Sequence, residues 1–462
     1  MESQILRWFR DSKSSPSVLG ESWLMTVLSK SRLSSFSKKE FLFYGKWLMA
    51  VLVFFCVFLP RISLGSITPF YSFDLRGEDL PALILTVFLL GMMIRRISLP
   101  EIPSVEGPFL LFLLAGEISI LNGLWMRTID KPFLSLFYLL KWAEYFFIFL
   151  ATARLTANVK QANFFLQTFF WLGIALGLYG WWEHFFPFAK AVYPNYYRIF
   201  ERLPFHGDAN HVGGLLVLWL GFFIGVFLRT SDRRTGSLLL AALIFVFFPL
   251  IWTYSRKSYF ALGGALLFPF IFKGSRKKLL FLISLLILTA LVFPTRLSER
   301  LMDLREAFQS VDPFHSSWAG NWVMWKDALW NFDQFFLWGS GLGSRHRLFY
   351  ESQYVLILAE TGIFGFSMLV FLFLSMIREI TSSFARTLTA QEKGIAIGWL
   401  IGFVGLLIHN LSCVSLTVAK IAIPFWFLSA VTFQTLKVSK KVRHSEGKAG
   451  RISDPSALRA SG

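Results

Sequence analysis

Stretches of roughly 20 mostly apolar residues recur along this chain, and each is long enough to cross a bilayer as a helix. A span in lipid must satisfy its own backbone hydrogen bonds, so runs of this length predict helices. Only 16% of the 462 residues are charged, whereas soluble domains carry about a quarter. The sequence therefore predicts an all-α fold, a polytopic membrane helix bundle of about twelve spans. The runs lie near residues 42–60, 80–95, 107–125, 133–152, 162–184, 211–229, 236–254, 257–273, 277–294, 352–377, 394–412 and 414–436.

The net charge of +18 is spread over short connectors and both ends of the chain. A nucleic-acid-binding protein would collect such charge on one folded face, so no nucleic-acid partner is predicted. Basic connectors instead alternate with less basic ones, and the positive-inside rule then places both termini in the cytoplasm. Contacts with anionic membrane lipids are expected on that side. The basic set comprises the N-terminal segment, Arg95 and Arg96, Arg154 and Lys160, Arg229 to Arg234, Lys273 to Lys278, Arg378 to Lys393, and the tail from Lys437.

Five segments follow from this pattern. Residues 1–40 form a basic cytoplasmic segment without a cleavable signal peptide, and 41–294 hold spans one to nine. Residues 295–351 form a large loop on the opposite side of the membrane, with amphipathic helices near 297–308 and 320–332. Residues 352–436 hold spans ten to twelve, and 437–462 form a disordered cytoplasmic tail. Trp322, in the second loop helix, is either an interfacial residue or a platform for a sugar ring.

Two polar clusters flank the sixth to eighth spans. The first, E-R-L-P-F-H-G-D-A-N-H at 201–211, has a metal-like spacing of His206, Asp208 and His211, but a helix cap formed by Asp208 or Asn210 explains it as well. We favour the cap and predict no metal site. The second, T-Y-S-R-K-S-Y at 253–259, puts Arg256 and Lys257 at a membrane boundary. Such cations are costly there and indicate function, with snorkelling to lipid phosphates as the alternative.

Two further clusters surround the entry to the tenth span. In G-S-G-L-G-S-R-H-R, at 339–347, glycines permit close backbone approach and two arginines would clamp phosphate, although a flexible loop is the alternative. Glu351 is free to meet a substrate or to cap a helix. Glu360 follows nine positions later on roughly the opposite helix face, so the two carboxylates are not a catalytic pair. Cys56 and Cys413 are interpreted as small apolar packing residues.

These motifs resemble those of the O-antigen ligase/polymerase family of bacterial membrane glycosyltransferases. F-H-G-D-A-N-H-V-G-G is similar to its Gly-x-x-Asn element, and T-Y-S-R-K-S to its Thr-x-Ser-Arg-Gly element. W-G-S-G-L-G followed by Y-V-L-I-L-A-E-T-G-I-F-G resembles its glycine-rich turn and the helix after it. The resemblance covers residues 42–436 and implies about twelve spans with a large periplasmic loop. One departure concerns the helix entry, where ligase members carry His and this chain carries Glu351.

The resemblance implies an enzyme of the bacterial inner membrane that uses a glycan linked to undecaprenyl diphosphate. The acceptor is a glycan or a lipid of the lipid A-core type, and no cofactor is needed. Arg256 and Arg202 match the family's key arginines and would stabilise the departing diphosphate. Glu351 would serve as the base, unless His346 replaces it. The residues expected to bind substrate are Arg345, His346, Arg347, His211, Asn210, Lys257 and Trp322.

The sequence leaves the kind of reaction open. Glu in place of His favours a polymerase slightly over a ligase. A transporter of a small solute fits twelve spans with both termini inside, but neither an inverted repeat nor charges deep in two corresponding helices are evident. A non-catalytic partner in polysaccharide assembly is the third hypothesis.

Overall fold

The computed structural model describes residues 38–59, 62–68, 71–75, 82, 84, 86, 104–186, 198–200, 205, 209–271, 276–292, 317–344, 351–384 and 388–452. Helices dominate these residues, with one two-stranded hairpin and one 3₁₀ turn, Phe268–Ile271. The helices are α1 (Lys38–Phe58), α2 (Glu106–Trp125), α3 (Pro132–Leu155), α4 (Val159–Phe185), α5 (Ala209–Arg229), α6 (Arg233–Trp252), α7 (Arg256–Leu267), α8 (Arg276–Val292), α9 (Ser317–Gln334), α10 (Gln353–Phe384), α11 (Ala390–His409) and α12 (Ala419–Ile452).

Eight of the described helices are long and apolar enough to cross a membrane: α2 to α6, α10, α11 and the Ala419–Lys440 part of α12. The other predicted spans are shorter or lie largely outside the described residues. α1 has an apolar stretch of Leu42–Phe58, α7 has 12 residues before the 3₁₀ turn, and α8 has 17 residues. Of the run at 80–95, only three residues are described. The membrane helix bundle is thus confirmed, whereas the count of twelve spans stays a prediction.

Two segments differ from what the sequence predicts: a hairpin after α1 differs from the all-α expectation, and the end of α12 differs from the predicted disordered tail. After α1, strands β1 (Ile62–Thr68) and β2 (Tyr71–Leu75) pair antiparallel, with Ile62 opposite Leu75. The alternation Y-S-F-D-L in β2 has the period of two that suits a strand. At the other end of the chain, α12 continues to Ile452, so residues 437–452 are helical rather than disordered. Lys, Arg and Glu in this stretch are good helix formers, which favours continuation of the helix.

Helices α5 and α12 form the centre of the bundle, since 89% of the apolar window of each is buried, against 39% for α2 and α3. α11 crosses α5 at very short distance because both helices carry glycines four residues apart. A Cβ atom on Gly225 would lie 2.2 Å from the Cα of Gly398, and one on Gly221 would lie 2.8 Å from the Cα of Gly402. Such small-residue contacts are the usual basis of close helix packing in membranes.

Helix α10 is broken at Gly362, whose φ of 65° and ψ of −169° are not helical. The chain after α9 packs into this break. The N–H of Ile363 donates to the carbonyl of Phe336 at 2.9 Å, and the N–H of Phe364 donates to the carbonyl of Leu337 at 3.2 Å. The break therefore exchanges helical hydrogen bonds for bonds to the segment that precedes the glycine-rich turn.

The glycine-rich turn itself completes this interlock. The N–H groups of Ser340 and Gly341 donate to the carbonyls of Ala359 and Glu360, at 3.0 and 2.9 Å. Gly339, Gly341 and Gly343 all have positive φ, so the turn needs glycine at these positions. The N–H groups of Ser340 and Gly341 are used to bind the helix, so this part of the turn stabilises α10.

Candidate active site

Polar side chains from separate elements converge at one end of the bundle. They come from the start of α5, the turn between α6 and α7, the entry to α10 and the connector between α11 and α12. We call this group the polar cluster; its members are His211, Lys257, Ser258, Glu351, Gln353, His409, Asn410 and Cys413.

The turn between α6 and α7 leads into two cations, Lys257 of the polar cluster and its neighbour Arg256. Tyr254 has a φ of 50°, a left-handed conformation that is unfavourable for a bulky residue. Ser255 then caps α7, because its side chain accepts a hydrogen bond from the N–H of Ser258. Arg256 and Lys257 thus occupy the first helical turn, where the helix dipole is already positive. This concentration of positive charge makes the start of α7 suited to an anion.

Lys257 pairs with Glu351 across the cluster, through its ammonium group and the Oε2 of the carboxylate. The exposed fractions of the two side chains are 20% and 37%, so water and ligands can reach the pair. Glu351 lies two residues before Gln353, the first residue of α10. The pair therefore ties the entry of α10 to the start of α7, and Glu351 faces a cation.

His409 is fully buried and contacts the residues that cap α7. Its Nε2 lies 3.3 Å from the Ser258 hydroxyl, and its Nδ1 lies 2.7 Å from the Ser415 hydroxyl. The Ser258 hydroxyl donates to the Ser255 hydroxyl at 2.9 Å. Because that proton is used, the consistent assignment is donation from Nε2 to Ser258 and from Ser415 to Nδ1.

Two consecutive glycines on α5 make room for this chain of hydrogen bonds. A Cβ on Gly213 would lie 2.2 Å from the Ser258 hydroxyl oxygen, and one on Gly214 would lie 2.9 Å from the Cε1 of His409. The V-G-G part of the 205–214 motif therefore serves packing beneath the cap. It allows α5, α7 and α11 to meet at one point.

Arg198 joins Asn210, at the start of α5, to the turn between α6 and α7. Its Nε donates to the carbonyl of Thr253 at 2.9 Å, and its Nη2 donates to the Oδ1 of Asn210 at 2.9 Å. The side chain is buried. Asn210, expected to bind substrate, therefore has its carbonyl oxygen directed at an arginine of the protein.

Cys413 makes a polar contact within the cluster. It is hydrogen-bonded to His211. Burial alone would raise the pKa of this thiol, but the charge of His211, its hydrogen bond and the charge of Lys257 together lower the pKa below its usual value. The interpretation of Cys413 as an apolar packing residue is therefore corrected. Cys56, also buried, donates from its thiol to the carbonyl of Ala419 at 3.1 Å.

The connector between α11 and α12 holds the entry of α10 in place. The N–H of Gln353 donates to the carbonyl of Asn410 at 3.0 Å. The side-chain Oε1 of Gln353 accepts from the N–H of Leu416 at 3.2 Å, and Asn410 Oδ1 accepts from the N–H of Ser415 at 3.2 Å. These bonds fix the backbone immediately beside Glu351.

Residues 239–370 match the family model described as O-antigen ligase. The chain carries an O-antigen ligase family domain. The match confirms the resemblance drawn from the sequence, and no curated protein matches the chain. The matched segment runs from α6 into α10 and includes both partners of the Lys257–Glu351 pair.

Several predicted site residues lie outside the described residues: Arg202, Arg345, His346 and Arg347. Trp322 lies on α9, but its side chain is likewise outside them. Among the described residues, no group of three or more His, Cys, Asp or Glu side chains is arranged to hold a metal ion.

The residues that sequence reasoning missed lie mostly outside the O-antigen ligase domain. Their contacts with the site join residues that are far apart in the sequence and form only when the chain folds. The residues are Arg198, His409, Asn410 and Ser415. The one available signal was H-N-L-S-C-V-S at 409–415, a polar interruption between the last two apolar runs.

Proposed function

We propose that this protein is an inner-membrane glycosyltransferase that transfers or polymerises a glycan from an undecaprenyl-diphosphate donor. The acceptor is a hydroxyl of another glycan, or of a lipid of the lipid A-core type, on the periplasmic side. The observation that carries the proposal is the arrangement of Arg256, Lys257 and Glu351 within the O-antigen ligase domain. Two cations at a helix N-terminus adjoin a carboxylate that solvent can reach.

The reaction requires a base and a stabilised leaving group. The acceptor oxygen attacks the anomeric carbon and forms the new C–O bond, while the bond from that carbon to the diphosphate oxygen breaks. The electron pair leaves with the diphosphate, and the hydroxyl proton passes to Glu351 as general base. Arg256 and Lys257 offset the charge that grows on the diphosphate. Because these cations can neutralise the leaving group, the mechanism needs no metal or other cofactor.

The residues outside the described ranges complete the proposed site. Arg202 is proposed as a second diphosphate clamp. Arg345, His346 and Arg347 follow the glycine-rich turn directly in the sequence and are proposed to bind phosphate or glycan, with Trp322 stacking on a sugar ring. His211 contributes through Cys413 and the charge it adds beside Lys257. Asn210 acts through Arg198, because its Oδ1 accepts a hydrogen bond from the Arg198 guanidinium.

The distribution of basic residues supports the periplasmic placement. Arg154 and Lys160 flank the turn between α3 and α4, and Arg229 to Arg234 flank the turn between α5 and α6. The polar cluster lies at the ends of α5 and α6 opposite to their basic turn, so the positive-inside rule puts it outside the cytoplasm. Both termini are then cytoplasmic.

Substitution of Glu351 tests the proposal. Glu351→Gln removes the base, and the loss of general-base catalysis is expected to reduce transfer by roughly 10²- to 10⁴-fold. Arg256→Ala and Arg202→Ala are expected to abolish surface glycan assembly while expression persists. The matched control is Glu379→Gln, which removes a carboxylate from α10, the helix that begins just after Glu351; there Glu379 pairs with Lys437.

The measurement is release of undecaprenyl diphosphate from purified protein supplied with donor and acceptor, alongside surface glycan in cells. Native transfer by Glu351→Gln would remove this residue as the base. Between the two activities we favour polymerase, because Glu351 holds the position where ligases carry His. A long glycan from one lipid-linked repeat unit identifies a polymerase, and transfer to a lipid core identifies a ligase.

A transporter is the second candidate, and one ion pair favours it. Lys141 lies within α3, and its ammonium nitrogen is 2.6 Å from a Glu144 carboxylate oxygen. Ionisable residues inside a span often mark a transport pathway. Uptake of a small solute into proteoliposomes without any lipid-linked sugar would favour this function.

A further inference from the structure

We propose that Lys257 is a latch that holds Glu351 until donor binds, and that the donor diphosphate frees the base by taking over the lysine. The proposal rests on the proposed function and goes further, since it orders the two substrates. It starts from the ion pair that joins the first turn of α7 to the entry of α10.

The ion pair competes directly with base catalysis. The ammonium group of Lys257 occupies the Oε2 of Glu351, so this oxygen cannot receive the hydrogen bond of an acceptor hydroxyl while the pair is formed. Glu351 in this contact is therefore not ready to deprotonate an acceptor hydroxyl. Some other anion must take Lys257 before Glu351 can act.

The diphosphate is the anion suited to that exchange. Lys257 follows Arg256 on the first turn of α7, where the backbone N–H groups and the helix dipole also favour an anion. A diphosphate carries more charge than one carboxylate and can contact both cations. The lysine ammonium sits on a flexible four-carbon stem, so it can exchange partners without movement of the helix.

The surroundings of the pair restrict the movement to these two side chains. Ser255 and His409 fix the cap of α7 through buried hydrogen bonds. Gln353 is bonded to the connector after α11, which fixes the backbone beside Glu351. The ion pair, by contrast, is partly exposed on both sides. The exchange therefore needs a change of side-chain partners on a rigid frame.

The consequence is ordered catalysis. Without donor, Glu351 stays paired and the site is inert toward acceptor hydroxyls. With donor bound, Lys257 stabilises the diphosphate and Glu351 accepts the acceptor proton. When the diphosphate product leaves, loss of that proton from Glu351 lets the ion pair form again.

A zero-length cross-link tests the latch in the purified full-length protein. A water-soluble carbodiimide adds to a carboxylate to give an O-acylisourea; attack by an adjacent lysine amine forms an amide, and a urea leaves. Glu351 and Lys257 are placed for this reaction. The internal reference is Glu379 with Lys437, whose charged atoms lie 3.4 Å apart on α10 and α12. Mass spectrometry gives the ratio of the two cross-links, which corrects for any loss of reagent.

The probe is undecaprenyl diphosphate, and the matched control is undecaprenol, which has the same tail without charge. We expect the Lys257–Glu351 cross-link in the empty protein, its loss relative to the reference with undecaprenyl diphosphate, and no change with undecaprenol. Bound undecaprenyl diphosphate, measured by native mass spectrometry, with an unchanged cross-link would overturn the latch but not the proposed function. Failure of this lipid to bind would instead overturn the proposed function. Absence of the cross-link in the empty protein, with the reference cross-link present, would show that no latch exists.

Discussion

Replacement of Gly362 by alanine tests the interlock between the broken helix α10 and the glycine-rich turn. Gly362 has a φ of 65° and a ψ of −169°, a region that is essentially restricted to glycine and costs other residues on the order of 1–3 kcal/mol. A Cβ there would also lie 2.5 Å from the carbonyl oxygen of Leu337. The segment must move away to relieve this contact, which weakens the Ile363 to Phe336 hydrogen bond, worth about 0.5–1.5 kcal/mol. We therefore expect a loss of roughly 2–4 kcal/mol of folding free energy.

Gly263→Ala is the matched control. Gly263 lies inside α7, and a Cβ there would meet nothing within 4 Å. Alanine in a helix interior is favoured over glycine by roughly 0.5–1 kcal/mol, so this variant should be neutral or slightly more stable than the wild-type protein. The same substitution is thus expected to act in opposite directions at Gly362 and Gly263.

The assay is thermal unfolding of the purified protein in detergent, followed by intrinsic tryptophan fluorescence. We expect the apparent Tm of Gly362→Ala to fall by several degrees, and that of Gly263→Ala to stay at or above the wild-type value. If both variants unfold at the wild-type temperature, the non-helical geometry at Gly362 does not hold the fold together. The structural role assigned to the turn would then be refuted.

Two further predictions concern the polar cluster. His409→Ala leaves the buried Ser415 hydroxyl without the acceptor for its proton, at about 1–3 kcal/mol, and removes one of the two hydrogen-bond partners of Ser258, so both the Tm and transfer should fall. His409→Gln, which can still form hydrogen bonds, should keep a higher Tm and more transfer activity than His409→Ala. Equal losses of Tm and activity in the two variants would argue against a positioning role for His409. For Cys413, the lowered pKa means that the reactive thiolate persists to lower pH than in an ordinary cysteine. The measurement is the rate of iodoacetamide labelling as a function of pH, followed by mass spectrometry. As the pH is lowered, labelling of Cys413 should persist to lower pH than labelling of an ordinary cysteine, and in His211→Ala the decline should move to higher pH. An unshifted profile in His211→Ala would contradict the His211 contact.

The helices and the general position of the site could be predicted from the sequence because both depend on local patterns. A long apolar run is visible within one segment, and it predicted the spans of α2 to α6 to within several residues. Charged residues beside apolar runs are rare, so Arg256, Lys257 and Glu351 stand out in the sequence as candidate site residues. The structure brings two of them, Lys257 and Glu351, into contact.

The parts that could not be predicted depend on long-range contacts. The apolar pattern continues through Gly362, so one continuous helix was expected where the structure has a break. The glycine-rich turn was a candidate for phosphate binding because glycine serves close approach to a ligand and close approach to another helix equally well. Nothing in the sequence near His409 indicates that its imidazole lies between Ser258 and Ser415, since Ser258 is 151 residues away.

The contact between Lys257 and Glu351 also accounts for two departures from the family pattern at once. The chain has Lys257 where the Thr-x-Ser-Arg-Gly element has glycine, and Glu351 where ligase members have His. A neutral imidazole can accept a proton beside a diphosphate without repelling it, whereas a carboxylate adds a negative charge next to the donor. In the proposed mechanism, Lys257 on the facing helix turn would compensate that charge, in the empty site through the ion pair and in the loaded site through the diphosphate. If Glu351 is the base, as proposed, it would need a partner cation, and Lys257 lies in contact with it on the first turn of α7, next to Arg256.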